Sequence, residues 1–214
     1  MKGLAVHTEA IIEKASQLKC ILPYYLVGGT ALSLQIEHRL SEDLDFMRWT
    51  DSGEVDWVNI EKELSAIGDV QKTEIMSFEH VEFVVSGVKF SFYDCPKKNP
   101  VQRTIPFLNN IRMADVDSIA VMKMETLLRR SKFRDYYDLY CIFRDKSNEE
   151  IKQLVDAALR YSGHKLKTKN LLAILTSGDR FRNDEAFKQL DPKYQITAEE
   201  IESSMKDRFK LIYS

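Results

Sequence analysis

The chain has 214 residues, with 31 basic and 33 acidic side chains, a formal net charge of −2, 44% hydrophobic residues and five prolines. That length holds one large domain or two small ones with real cores, and that hydrophobic content excludes an intrinsically disordered chain. Near-neutrality does not exclude a polyanionic partner, because it is a cancellation: residues 1–96 carry 8 Lys/Arg and 16 Asp/Glu (−8), whereas residues 97–214 carry 23 and 17 (+6).

Residues 4–18 space Ala5, Ile11, Ile12, Ala15 and Leu18 as one apolar helical face. Tyr24-Tyr25-Leu26-Val27 then reads as a short strand stopped by Gly28-Gly29, with Thr30 as the N-cap of a second helix that carries Leu32 and Ile36. Residues 44–47 predict another strand and residues 55–67 another helix. Three β-rich stretches follow at 70–76, 81–85 and 88–93, the last two joined by Ser86-Gly87, a two-residue hairpin link. After Asp115 the pattern becomes helical, at 119–130, 136–143, 151–161, 171–175 and 198–211. The predicted class is therefore α+β: a small mixed-sheet domain over residues 1–113, then an α-helical bundle over residues 114–214.

Cys20, Cys95 and Cys141 are odd in number and widely spaced, which argues against a disulfide framework or a structural zinc site. His7, His38, His80 and His164 each stand alone and read as surface or packing residues. The first 15 residues lack the apolar centre of a signal peptide. The longest nearly apolar run, residues 20–27, is far short of the ~20 residues a membrane span needs. No membrane association is expected, and a reducing cytoplasm is the expected compartment.

Two features of the first domain carry chemistry. Gly28-Gly29-Thr30 sits between a strand and a helix; paired glycines let backbone approach a ligand, and free amides at a helix start suit an anion. The same pair is also an ordinary turn signal. Ser41-Glu42-Asp43-Leu44-Asp45-Phe46 places Asp43 and Asp45 at i and i+2 on a strand, hence on one face, with Leu44 and Phe46 on the other. Paired carboxylates repel unless cations compensate. Mg²⁺ fits best, since it takes few carboxylates together with substrate phosphates, and Mn²⁺ is the alternative. A solvated strand end explains the acidic pair equally simply. The conjunction of the two features, with 13 residues from Thr30 to Asp43, favours a nucleotide site.

The segment GGTALSLQIEHRLSEDLDF resembles the signature of the AbiEii abortive-infection toxin family of nucleotidyltransferases, which pairs a Gly-Gly-Thr turn with a Ser-x-Asp-x-Asp strand. Lys123, followed by Arg129-Arg130-Ser131-Lys132-Phe133-Arg134-Asp135-Tyr136-Tyr137-Asp138-Leu139, resembles that family's second motif. The likeness spans about residues 20–145. It implies a nucleotidyltransferase-like fold followed by a bundle, with the active cleft between them. It also implies transfer of a nucleotidyl group from an NTP to a hydroxyl on RNA, tRNA included, or on protein, and a cognate antitoxin.

On this reading Asp43 and Asp45 bind the metal, and Gly28, Gly29 and Thr30 cradle the triphosphate. Lys123 or Lys132 contacts phosphate, and Asp135 or Asp138 orients the lysine or assists the nucleophile. On a helix Lys132, Asp135 and Asp138 form an i, i+3 stripe, which is also what a plain ion-pair ladder gives. Arg39 either contacts phosphate, restrains Asp43 or neutralises a helix end.

One departure from the family stands out. A third carboxylate is expected in the strand at residues 88–93, and the matching position is Ser91. Asp94 has the opposite parity and serves only if the strand bulges or ends there; water is the other substitute. Two further readings therefore stay open: a metal-dependent nucleotide-binding module whose catalysis has lapsed, and a structural or interaction protein whose charged halves complement each other.

Overall fold

The computed structural model describes residues 1–163, 167–181 and 184–213; the expectation for His164 lies outside the described residues. The chain divides into two compact units, Met1–Asp115 and Val116–Ser214.

The first unit is a seven-stranded mixed sheet with three helices. In chain order it runs α1 (Val6–Ala15), β1 (Tyr25–Val27), α2 (Gly28–Ile36), β2 (Leu44–Arg48), α3 (Trp57–Leu64), β3 (Val70–Ser77), β4 (His80–Val85), β5 (Val88–Asp94), β6 (Thr104–Leu108) and β7 (Ile111–Ala114). The strand order is β3-β4-β5-β2-β1-β7-β6. Strands β2 and β5 are parallel and so are β1 and β7, whereas the β1–β2, β3–β4, β4–β5 and β6–β7 pairs are antiparallel.

Alternation sets which face is core. Leu44 and Phe46 of β2, Phe83 of β4, and Phe90 and Phe92 of β5 are all buried. Phe46 and Phe92 stack at 5.3 Å, and Tyr24 meets Phe92 edge-on at the same distance. The other face keeps Asp45, Lys89 and Glu82. The Ser86-Gly87 link forms with both residues at positive φ (48° and 81°), which matches the twist of a two-residue hairpin.

Strands β6 and β7 correct the sequence reading, which had no strands after residue 93. Pro106 masks β6, yet β6 is an edge strand, the one place in a sheet where a residue without an N–H is tolerated. The hairpin is held from a distance: the Asn109 side chain donates to Ser16 Oγ at 2.8 Å, and the Asn110 amide donates to the Ser16 carbonyl at 2.9 Å. Local pattern carries no trace of partners so far along the chain.

The second unit is helical: α4 (Val116–Arg129), α5 (Phe133–Arg144), α6 (Asn148–Tyr161), α7 (Thr168–Leu175) and α8 (Ala198–Tyr213), with 3₁₀ turns at Gly178–Phe181 and Glu185–Leu190. Ser147 and Glu150 close a capping box on α6. Tyr136 and Tyr137 are fully buried on α5. The Tyr136 hydroxyl donates to the Leu175 carbonyl at 2.7 Å, and the Tyr137 hydroxyl accepts from the Tyr194 amide at 3.0 Å, so neither phenol is stranded. No helix among the described residues is long and apolar enough to cross a membrane.

Candidate active site

Helix α2 starts directly on the last residue of β1, with Val27 in extended conformation at the N-cap position. The helix is counted from Gly28, but Gly28 itself has φ +68°, so right-handed helical backbone begins after it, and Thr30 lies inside the first turn rather than capping it. That corrects the predicted cap. Thr30 is buried; its hydroxyl donates to the Asp43 carbonyl and lies 2.9 Å from Ser41 Oγ, which can donate to it. It thus ties the helix start to the segment entering β2. The first-turn amides of a helix have no carbonyl partner within it, and they lie at the positive end of its dipole.

Both glycines sit against the tips of neighbouring side chains, and Gly28 is favoured by its backbone as well. Gly28 sits at φ +68°, and a Cβ there would lie 2.5 Å from Asp45 Oδ2. The register Val27↔Asp45 explains the closeness. A Cβ on Gly29 would meet Arg39 Nη2 at 2.5 Å and Ser41 Oγ at 3.1 Å. Arg39 is only 5% exposed, and its Nη1 donates to the Leu40 carbonyl at 2.8 Å. The space beside each glycine is thus taken by the protein's own carboxylate and guanidinium.

Asp43 immediately precedes β2 and Asp45 lies within it, with Leu44 buried between them. The Asp43 side chain is 42% exposed. Register places Asp45 beside Ser91 of β5, and Ser91 beside Glu82 of β4, so carboxylate, hydroxyl and carboxylate form one row across three strands. Ser91 is fully buried and its hydroxyl has no hydrogen-bond partner. Lys89 Nζ lies 3.6 Å from Asp43 Oδ2 and 3.8 Å from Glu82 Oε1. His80 Nε2 is 3.2 Å from Glu82 Oε1, and the His80 ring stacks on Tyr93 at 4.1 Å. Burial pushes His80 below the ordinary histidine value, with Glu82 acting in the opposite direction.

Asp94 does not stand in for a third carboxylate. It is fully buried three residues beyond Ser91, paired in register with Arg48. Arg48 Nε donates to it at 2.9 Å, and the Thr50 hydroxyl does so at 2.8 Å. Its lone pairs are engaged in holding the end of β2 to β5.

Among the described residues no group of three or more His, Cys, Asp or Glu side chains is placed to hold a metal ion. Asp43 and Asp45 remain a two-carboxylate, hard-oxygen set. That suits one Mg²⁺ or Mn²⁺ that takes its other ligands from water and phosphate, as Mg²⁺ commonly does.

The second unit holds a separate charged cluster. Lys123 of α4 is 5% exposed, and its Nζ lies 2.9 Å from Asp135 Oδ1 and 2.6 Å from Asp138 Oδ2 on α5. Arg130 joins from the α4–α5 link, with Nε 2.7 Å from Asp135 Oδ2 and Nη2 3.1 Å from Oδ1. Burial alone would push Asp135 up; Lys123 and Arg130 overcome it and hold the carboxyl below its ordinary range. The predicted stripe is therefore corrected in kind. The pairs run between two helices rather than along one, and Lys132 is the exposed N-cap residue of α5, outside the helix. Arg134 turns elsewhere, forking Asp184 at 2.8 and 2.9 Å.

Within the first unit, then, Gly28, Gly29, Thr30, Arg39, Asp43 and Asp45 come together; within the second, Lys123, Asp135 and Asp138 do. Sequence reasoning missed Glu82 as a neighbour of this face. Period-2 alternation already set Lys89 and Ser91 on one face, but no sequence signal states which strand lies beside β5.

The chain is similar to other proteins in family and in fold. Residues 13–213 match the family described as nucleotidyl transferase AbiEii toxin, type IV TA system. An uncharacterized protein of Aquifex aeolicus is 26% identical over 215 residues, covering 98% of each chain. In fold, the chain is similar to a candidate nucleotidyltransferase from H. pylori (TM-score 0.55, 19% identity, 96% of this chain and 91% of that one). It is also similar to MenT4, a nucleotidyltransferase toxin from Mycobacterium tuberculosis (TM-score 0.52, 13% identity, 97% and 85%).

Proposed function

Because the chain belongs to the AbiEii family of nucleotidyl transferase toxins of type IV toxin–antitoxin systems, we propose that the Asp43–Asp45 face of its sheet transfers a nucleotidyl group from an NTP. A cognate antitoxin and a nucleotide substrate follow from family membership. The acceptor we propose is a hydroxyl of RNA, tRNA included, or of protein. The compartment is a reducing cytoplasm, a reading supported by three cysteines of which none is in a disulfide among the described residues.

One observation carries the assignment of the site. The Asp45 carboxylate fills the volume that a side chain on Gly28 would need, at the start of α2 and two residues from its half-exposed pair partner Asp43. A carboxylate pair is thereby held next to the N-terminus of α2. Asp43 and Asp45 would hold Mg²⁺, which when bound supplies positive charge against the phosphate oxygens. The amides of Gly28, Gly29 and Thr30 bind the triphosphate, aided by the helix dipole. Arg39, packed on Gly29, fixes the loop that delivers Asp43. In the helical unit Lys123 is held by Asp135 and Asp138 and Lys132 is exposed, and we propose that this motif also serves transfer. The acceptor oxygen then attacks the α-phosphorus in line, and pyrophosphate leaves.

The test is direct. Purified chain, Mg²⁺, each labelled NTP in turn, and total RNA or protein should give labelled acceptor. If wild type does no better than D43A/D45A under every combination, the proposal is abandoned. The buried, unpartnered Ser91 favours one second reading, nucleotide binding with lapsed catalysis. That reading predicts metal-dependent NTP binding without turnover, and turnover restored by Ser91→Asp.

A further inference from the structure

Lys89 stands where the site would otherwise gather a second metal ion. Two observations meet there. The expected carboxylate position is Ser91, whose hydroxyl is fully buried with no hydrogen-bond partner, on the same sheet face as Asp45 and Glu82. Two residues earlier on β5, and so on that same face, the Lys89 ammonium lies 3.6 Å from Asp43 Oδ2 and 3.8 Å from Glu82 Oε1.

Charge balance makes the arrangement more than a surface pair. Asp43, Asp45 and Glu82 place three carboxylates on one sheet face, two at β2 and one on β4 with β5 between them, yet they do not form a three-ligand metal group. One divalent ion on Asp43 and Asp45 leaves Glu82 and the acceptor side without a cation. Lys89 supplies that cation on a tether. An exposed lysine pair is worth little in stability, and Lys89 is 38% exposed, so folding alone gives weak reason for its placement. When substrate covers the face, the local dielectric falls and the same ammonium interacts far more strongly with developing negative charge.

We propose that Lys89 is a catalytic residue that takes the place of a second divalent ion, so that the site runs on one metal ion and one ammonium. The inference rests on the nucleotidyl-transfer reading above. In the step, the acceptor hydroxyl oxygen forms a bond to the α-phosphorus. The bond from that phosphorus to the bridging oxygen breaks, its electron pair leaves with pyrophosphate, and the hydroxyl proton passes to water. Lys89 stays protonated throughout and contacts the acceptor oxygen and a non-bridging α-phosphate oxygen. Glu82 is the positioning residue that draws the ammonium away from a closed pair with Asp43.

The experiment separates metal count from turnover. Mn²⁺ is titrated into the full chain with each of the four α,β-methylene nucleoside triphosphates, and free Mn²⁺ is read by electron paramagnetic resonance. The expected results are one Mn²⁺ per chain in wild type and in K89M, and two in K89M/S91D. Transfer from ordinary NTPs should fall about 100-fold in K89M and recover in part in K89R. Two Mn²⁺ per wild-type chain, or K89M activity within about three-fold of wild type, overturns the role of Lys89 and leaves the transfer reading intact. A wild type that binds no Mn²⁺, or transfers nothing with any NTP and acceptor, overturns the transfer reading and this inference with it.

Discussion

The Asp45 carboxylate occupies the space a side chain on Gly28 would claim, 2.5 Å from where that Cβ would lie. Glycine at this position does two things at once. It accepts φ +68° without penalty and it admits the carboxylate to the mouth of α2. Gly28→Ala should therefore cost about 1–2 kcal/mol for the left-handed backbone alone. It should also displace Asp45, so that Mn²⁺ affinity falls while far-ultraviolet circular dichroism stays that of the folded chain. Urea unfolding and Mn²⁺ titration of the same sample read both effects.

Lys123 is the neutralising centre of the helical unit, and its removal leaves Asp135 and Asp138 buried without it. Lys123→Met should destabilise the chain by about 3–5 kcal/mol, because uncompensated buried charge costs more than the pair gains. The triple variant K123M/D135N/D138N should regain most of that stability, yet no transfer activity. Recovery of activity along with stability would mean the cluster is only structural. Equilibrium unfolding and the labelled-NTP assay decide between the two.

Acid should weaken the helical unit in a defined direction. Asp135 is held below the ordinary carboxylate range by Lys123 and Arg130 against burial, and Asp184 chiefly by the hydrogen bonds from Arg134. A depressed folded value means the unfolded chain binds more protons in acid. The stabilisation is therefore complete above the unfolded value of about 3.9 and is lost as pH falls through the lower folded values. A fall between pH 7 and 5 reports His80 of the first unit, whose lowered value lets the unfolded chain bind its proton first; the urea midpoint of the helical unit should drop below pH 4. In Asp184→Asn that drop should shrink.

Ser91 and Asp94 should respond oppositely, although both are fully buried on β5. The Ser91 hydroxyl has no partner, so Ser91→Ala should leave stability unchanged or raise it by up to about 1 kcal/mol. Asp94 accepts from Arg48 and Thr50, so Asp94→Asn should cost about 1–3 kcal/mol without changing the number of Mn²⁺ bound. Thermal denaturation with and without Mn²⁺ checks both.

The sequence by itself determined the elements whose signals are local. Period-2 alternation set Lys89, Ser91 and Tyr93 on one face and Phe90 and Phe92 on the other. Helical spacing marked α4 to α8, and Ser86-Gly87 marked the β4–β5 hairpin. The carboxylate pair at Asp43 and Asp45 was legible for the same reason, since a strand places i and i+2 together whatever lies beside it.

Only the tertiary structure decided which strand neighbours which, and with that the composition of the site. Glu82 joins the Asp45 row because β4 lies next to β5, not because of any spacing along the chain. Lys123 rather than Lys132 pairs with Asp135 because α4 packs on α5, while the chain leaves helical geometry at Lys132. Strands β6 and β7 depend on Ser16, more than ninety residues away, and no local propensity encodes a partner at that distance. Backbone periodicity is a property of neighbours in sequence. Charge compensation and register are properties of neighbours in space, and at this site they decide which residues meet.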